Sequence, residues 1–141
     1  MLADDDSDDC LFFKEALEEL DASALLATVN NGEELMKHLI ETISNLPDIL
    51  FLDLNMPLKS GSECLLEIKQ HEVLKDLPVI IMSTSFNPDI VYRLHQQGAH
   101  YYARKPAEFL RLKELIRRSL EMVRDGLNEQ PAKEEFVINA T

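Results

Sequence analysis

Little in this 141-residue chain points away from a single compact domain. Its longest apolar runs are four or five residues, and a helix crossing a bilayer needs about 20. No charged segment, apolar stretch and small-residue cleavage site open the chain, so no secretory leader is read. Cysteines number only two, Cys10 and Cys64, far apart and each in a helical pattern. The expectation is two reduced, half-buried thiols in a cytoplasmic protein. No Cys/His spacing suggests zinc. His38, His71, His95 and His100 show no ligand spacing and are read as surface or strand-edge residues. Basic residues are scarce, with 14 Lys and Arg against 26 Asp and Glu, for a net charge of -12. That balance argues against nucleic acid as a direct partner, which needs a basic footprint. Internal repeats and low-complexity tracts are absent.

What is present is unevenly placed. Residues 1–72 carry 17 acidic against 4 basic side chains, and residues 73–141 carry 9 against 10. The excess starts at Asp4, Asp5, Asp6, Asp8 and Asp9. Such runs are usually solvated tracts, but this one lies between a strand-like stretch and an amphipathic helix.

Apolar periodicity alternates between short runs and helical stripes. Strands are expected at 1–3, 24–29, 48–52, 79–82 and 100–104. Cys10, Phe13, Leu17 and Leu20 mark a helix over 8–20, with Ser7 as its N-cap. Further helices follow Asn31-Gly32, run from the 55–61 loop to about His71, start at Asn87 with Pro88 and stop at Gly98, and span 108–124 before Gly126. Five βα units in series predict a parallel sheet with helices on both faces, an α/β fold. The domain is expected to cover 1–126, followed by a tail, 127–141, partly ordered or disordered, in which residues 136–138 are the candidates for a short strand.

Four apolar runs each end in a polar residue: Asp4 with Asp5, Asp53, Ser83 and Lys105. In a parallel sheet these fall at one edge, where ligands bind beyond the carboxyl ends of the strands. Three carboxylates gathered there repel one another, and a hard divalent cation such as Mg²⁺ relieves this. Asp53, ending the central strand, is the natural nucleophile toward a phosphoryl donor. Lys105 offsets charge on the transferring oxygens, and Ser83 donates to one of them.

These residues resemble a response-regulator receiver domain. The match comprises the acidic pair Asp4 and Asp5, the run Asp53, Leu54, Asn55, Met56, Pro57 with Gly61, then Ser83, Tyr102 and Lys105-Pro106, over residues 1 to about 125. The resemblance implies a flavodoxin-like, doubly wound, five-stranded sheet of order 2-1-3-4-5, the (βα)5 arrangement. It implies a phosphoacceptor rather than an enzyme, with self-catalysed phosphorylation of Asp53 from a histidine kinase or phosphotransfer protein and slow self-dephosphorylation only. Asp5, Asp53 and the Asn55 backbone carbonyl would bind Mg²⁺ directly, with Asp4 acting through water. Ser83 and Tyr102 would form a switch pair, and the Lys105–Pro106 peptide would be cis. The segment from Asn31-Gly32 to Asp53 also resembles free-standing receivers, some of which partner phytochrome-type kinases.

Three departures stand out. Only three residues precede the acidic pair, short for an interior strand, which raises the expectation of missing upstream residues. Ala107 and Thr84 differ in size from the residues common there, and Thr84 would narrow access to the phosphoryl group. Two rival readings remain open. An aspartyl-phosphate phosphatase usually carries a second carboxylate two residues past the nucleophile, where this chain has Asn55. A receiver-like binding module that is never phosphorylated would not need Asp5, Asp53, Ser83 and Lys105 together. Without an output domain, signalling is expected through protein contact, with a downstream target or as a homodimer, on the face of the fourth helix, fifth strand and last helix. That face holds Arg93, Arg111, Lys113, Arg117 and Arg118.

Overall fold

Two apolar strands that turn polar only at their last residue form the centre of the molecule. They are β3 (Leu50–Asp53) and β4 (Val79–Ser83), buried at every position. The computed structural model describes residues 1–21, 23–125, 130–132 and 135–138. β1 is Leu2–Ala3, β2 is Thr28–Val29, β5 is Tyr101–Arg104 and β6 is Val137–Ile138. All pairings are parallel, in the order β2-β1-β3-β4-β5-β6. The flavodoxin-like order expected from the sequence is present, and a sixth strand extends it.

Successive strand residues point to opposite faces, so the core divides in two. Leu50, Leu52, Val79 and Ile81 pack with Leu35, Leu39, Leu65, Ile68, Val91 and Leu94. These come from α2 (Gly32–Glu41), α3 (Gly61–Gln70) and α4 (Pro88–Gln96). Phe51, Ile80 and Met82 pack on the other face with Phe13, Ala16, Leu17, Leu112, Leu115 and Ile116, from α1 (Ser7–Leu20) and α5 (Phe109–Arg124). No described helix is long and apolar enough to cross a membrane.

Helix starts follow side-chain chemistry. Asn87 accepts from the Asp89 and Ile90 amides ahead of Pro88, and Ser60 with Glu63 closes a capping box on α3. Gly98 terminates α4 at φ 98°, the left-handed region that glycine enters without strain.

Several expectations need correction. Asp6, not Ser7, caps α1, its carboxylate accepting from the Asp8 and Asp9 amides. β2 shrinks to two residues, because 24–27 pairs too little to form a ladder beyond the Leu2 amide on the Ala27 carbonyl at 2.9 Å. Cys64 is fully buried rather than half-buried. His100 is buried, its Nδ1 accepting from the Val79 amide at 3.1 Å. His71 caps the turn at 74–76 by accepting from Val73 and Leu74. The proposed stop at Gly126 lies outside the described residues.

In the tail, the short strand for which residues 136–138 were the candidates is present as Val137–Ile138. Phe136 is 1 % exposed, joins the α2–α3–α4 core, and stacks edge-on to His95 with ring centroids 5.1 Å apart. Its carbonyl accepts the Tyr102 amide at 3.0 Å. The Pro131 carbonyl lies 2.9 Å from His95 Nε2, and Gln130 donates to the Ala99 carbonyl at 2.9 Å. Burial of the aromatic ring and the backbone pairing with β5 together offset the entropy of ordering this short strand.

Candidate functional site

The carboxyl ends of β1, β3 and β5 bring Asp4, Asp53 and Lys105 together. Asp4 is 2 % exposed and Asp53 6 %, so neither carboxylate is adequately hydrated, and each requires a partner. Lys105 Nζ supplies it, lying 2.8 Å from Asp4 Oδ2, 3.3 Å from Asp53 Oδ2 and 3.1 Å from Asp9 Oδ2. Asp5 is exposed, yet one oxygen from each of Asp4, Asp5 and Asp53 falls within 4.8 Å of the others. A hard-oxygen set of this kind suits a divalent cation. The Asn55 amide donates to Asp53 Oδ1 at 3.3 Å, and the Asp6 amide to Asp4 Oδ1 at 3.0 Å.

Burial pushes the Asp53 carboxyl up to about 6, opposed by the Lys105 charge and reinforced by Asp4. Burial alone would depress the Lys105 ammonium, but hydrogen bonding to Asp4 and the charges of Asp53 and Asp4 outweigh it and raise its pKa. Lys105 is therefore a permanent cation here.

The Lys105–Pro106 peptide is trans, since no described bond is cis. The lysine reaches the carboxylates regardless, because its own amide is fixed to the Ser83 carbonyl at 2.7 Å. Ser83 is fully buried, and its hydroxyl is engaged by the Ser85 hydroxyl and amide, both at 3.3 Å. The Tyr102 ring is buried, and its hydroxyl donates to the Ser85 carbonyl. Ser85 thus joins the two residues expected to act as a pair, a link that nothing in its sequence position signals. Phe86 meets Tyr102 edge-on at 6.1 Å. Thr84 is exposed.

Asp9 is the second residue that sequence reasoning missed. It lies in the first turn of α1, where a carboxylate ordinarily serves the helix dipole. The acidic run held the signal, since a helix starting just beyond the β1 tip keeps its first turn near that tip.

Three of the basic residues expected on the α4–β5–α5 face have carboxylate neighbours. Arg117 bridges Glu114 and Glu121, Arg111 approaches Glu108 at 3.6 Å, and Lys113 approaches Glu19 of α1 at 3.6 Å. β6 also covers the free edge of β5.

Comparison with known proteins agrees with this geometry. Response regulator Rcp1 of Synechocystis is 50% identical over 52 residues, 35% of this chain and 35% of Rcp1, so that match spans about a third of the relative's length. The crystal structure of the phosphorylated cyanobacterial phytochrome response regulator RcpA superposes with a TM-score of 0.80 at 31% identity, over 87% of this chain and 91% of that one. The Mn²⁺-bound form of Rcp1 gives 0.72 at 28% identity, over 93% and 96%. The model of the response regulator receiver domain matches residues 1–117. On its strand order, the residues at its strand tips and this match, the chain belongs to the family of response regulator receiver domains.

Proposed function

We propose that this protein accepts a phosphoryl group on Asp53 from a histidine kinase or phosphotransfer protein, and signals by protein contact. The observation that carries the reading is the Lys105 ammonium 3.3 Å from a buried Asp53 carboxylate at the strand tips. An Asp53 oxygen forms the new P–O bond. The P–N bond of the phosphohistidine breaks, with its electron pair going to the departing imidazole. Lys105 keeps its proton and neutralises charge on the phosphoryl oxygens. Ser83 is proposed to turn from Ser85 and donate to one of those oxygens. Hydrolysis frees Asp53 by a different route: water attacks phosphorus and releases a proton to solvent, the pair of the acyl P–O bond returns to Asp53, and inorganic phosphate leaves.

Asp5, Asp53 and the Asn55 backbone carbonyl are proposed to hold Mg²⁺ directly, with Asp4 acting through water. The donor set, all oxygen and three carboxylates, fits that ion, and related Rcp1 has been crystallised with Mn²⁺. When bound, the ion shields the transferring phosphoryl charge. Residues 1–126 form the receiver in this reading, and 127–141 its appendage. The likeness to RcpA favours a phytochrome-type kinase as the donor.

Output is proposed through the α4–β5–α5 face, to a target protein or a second copy. The chain of contacts from Ser83 through Ser85 to Tyr102 supports this, since it links the site to that face. Charge reversal at Arg111 and Arg118 should weaken that association.

Incubation with acetyl phosphate and Mg²⁺ tests the core reading. The expected result is a mass gain of one phosphate, lost in Asp53→Asn. Multiple turnover of phosphomonoesters would instead favour a phosphatase, and no uptake would favour a binding module.

A further inference from the structure

A lysine ammonium has three hydrogens to donate. Here three carboxylates face it: Asp4 at 2.8 Å, Asp9 at 3.1 Å and Asp53 at 3.3 Å. Asp9 and Asp53 accept hydrogen bonds from it and Asp4 pairs with its charge, so a phosphoryl oxygen arriving at the ammonium competes with these carboxylates. The three are unequal. The Asp4 side chain is 3 % exposed and also accepts the Asp6 amide. The Asp53 side chain is 8 % exposed and is the group being modified. The Asp9 side chain is 45 % exposed, on the first turn of α1. Releasing a buried carboxylate from its cation leaves an uncompensated charge, whereas a half-exposed one returns to water at small cost.

We propose that Asp9 is a positioning residue that holds Lys105 in the resting site and is exchanged for a phosphoryl oxygen when Asp53 is modified. Asp9 therefore sets a threshold on phosphoryl uptake and shortens the stay of the group. The inference rests on the function proposed above. It assigns α1 a part in the event, because its first turn loses a tertiary contact as the phosphoryl group arrives.

A general charge effect and a helix-dipole effect would be shared by Asp8, a neighbour in the same turn. The direct contact with Lys105 would not. The full chain and its Asp9→Asn and Asp8→Asn variants are treated with acetyl phosphate and Mg²⁺, and uptake is followed by intact mass. In that step an Asp53 oxygen bonds to phosphorus and acetate leaves with its electron pair. The donor is then removed and the loss of phosphate is timed. Asp9→Asn should take up phosphate faster and retain it longer, each by about two- to fivefold, the range a partly exposed ion pair allows. Asp8→Asn should change either rate by less. Affinity for beryllofluoride with Mg²⁺, read by fluorine NMR, should rise in Asp9→Asn alone. Thermal midpoints report the structural cost of each change separately, whereas beryllofluoride affinity is the readout that a purely structural role would not raise. If Asp9→Asn proves unstable, Asp9→Ser takes its place in the same measurements. Asp9→Asn rates equal to those of Asp8→Asn, or slower than the parent, overturn the inference while leaving Asp53 as acceptor. Failure of the parent chain to take up phosphate overturns both.

Discussion

Gly61 lies against the peptide of Asp53, so that a Cβ added to Gly61 would sit 2.3 Å from the Asp53 carbonyl oxygen and 2.9 Å from Leu54 Cα. The Gly61 amide also donates to the Leu54 carbonyl at 3.0 Å. The start of α3 therefore braces the end of β3 through backbone, which cannot yield as a flexible side chain would. Gly61→Ala should destabilise the fold by about 1–3 kcal/mol, the usual cost of overpacking, and slow phosphate uptake. Urea denaturation monitors the first effect and intact mass the second. An unchanged urea midpoint would contradict the contact.

The Asp53 carboxyl, held up to about 6 mainly by burial, binds its proton more tightly in the folded than in the unfolded chain, where the ordinary value is 3.8. The stability it contributes is present below about pH 4 and is lost as the pH rises through about 6. Above that, ionised Asp53 weakens the fold. Asp53→Asn should accordingly stabilise the metal-free protein at pH 7.5, by about 1–3 kcal/mol for a shift of this size. The gain should shrink toward pH 4. Added Mg²⁺ should raise the melting temperature of the parent more than that of the variant. A variant less stable than the parent at pH 7.5 would refute the argument.

Tyr102→Phe removes the hydroxyl that donates to the Ser85 carbonyl. The expected cost is about 0.5–1.5 kcal/mol. Phosphate uptake at Asp53 should persist, because Lys105 and the carboxylates are untouched. Weaker partner binding without loss of uptake would separate output from chemistry, whereas loss of both would remove Tyr102 from the output path.

Phe136→Ala deletes the ring that seats the tail against His95. The Tyr102 amide, which now donates to the Phe136 carbonyl, should then exchange with solvent far faster. The Leu54 amide, bonded to the Met82 carbonyl between central strands, should change little. Hydrogen exchange read residue by residue distinguishes the two, and equal acceleration would mean that the tail and core open together.

Much of the site was legible because parallel strands put the residue after each apolar run at one edge. Asp4, Asp53, Ser83 and Lys105 needed only that rule. The caps at Asn87 and Gly98 were legible because a local conformation demands those residue types. Asp6 and Ser7 are both good caps, and the choice between them depends on how β1 leaves the sheet. Ser85 and Asp9 were missed because their partners lie on other elements, 17 and 96 residues away. The apolar triplet 136–138 marked a short strand, but the burial of Phe136 also depends on α4 and β5, which sequence periodicity does not place beside it.

The covering of β5 bears on behaviour in concentrated solution. A four-residue strand with three buried side chains and an open row of amides and carbonyls would invite stacking of one molecule on the next. Among the described residues β6 pairs with β5 at two positions, Val137 beside Tyr102 and Ile138 beside Ala103. The pairing thus occupies part of the margin along which one molecule would otherwise stack on the next.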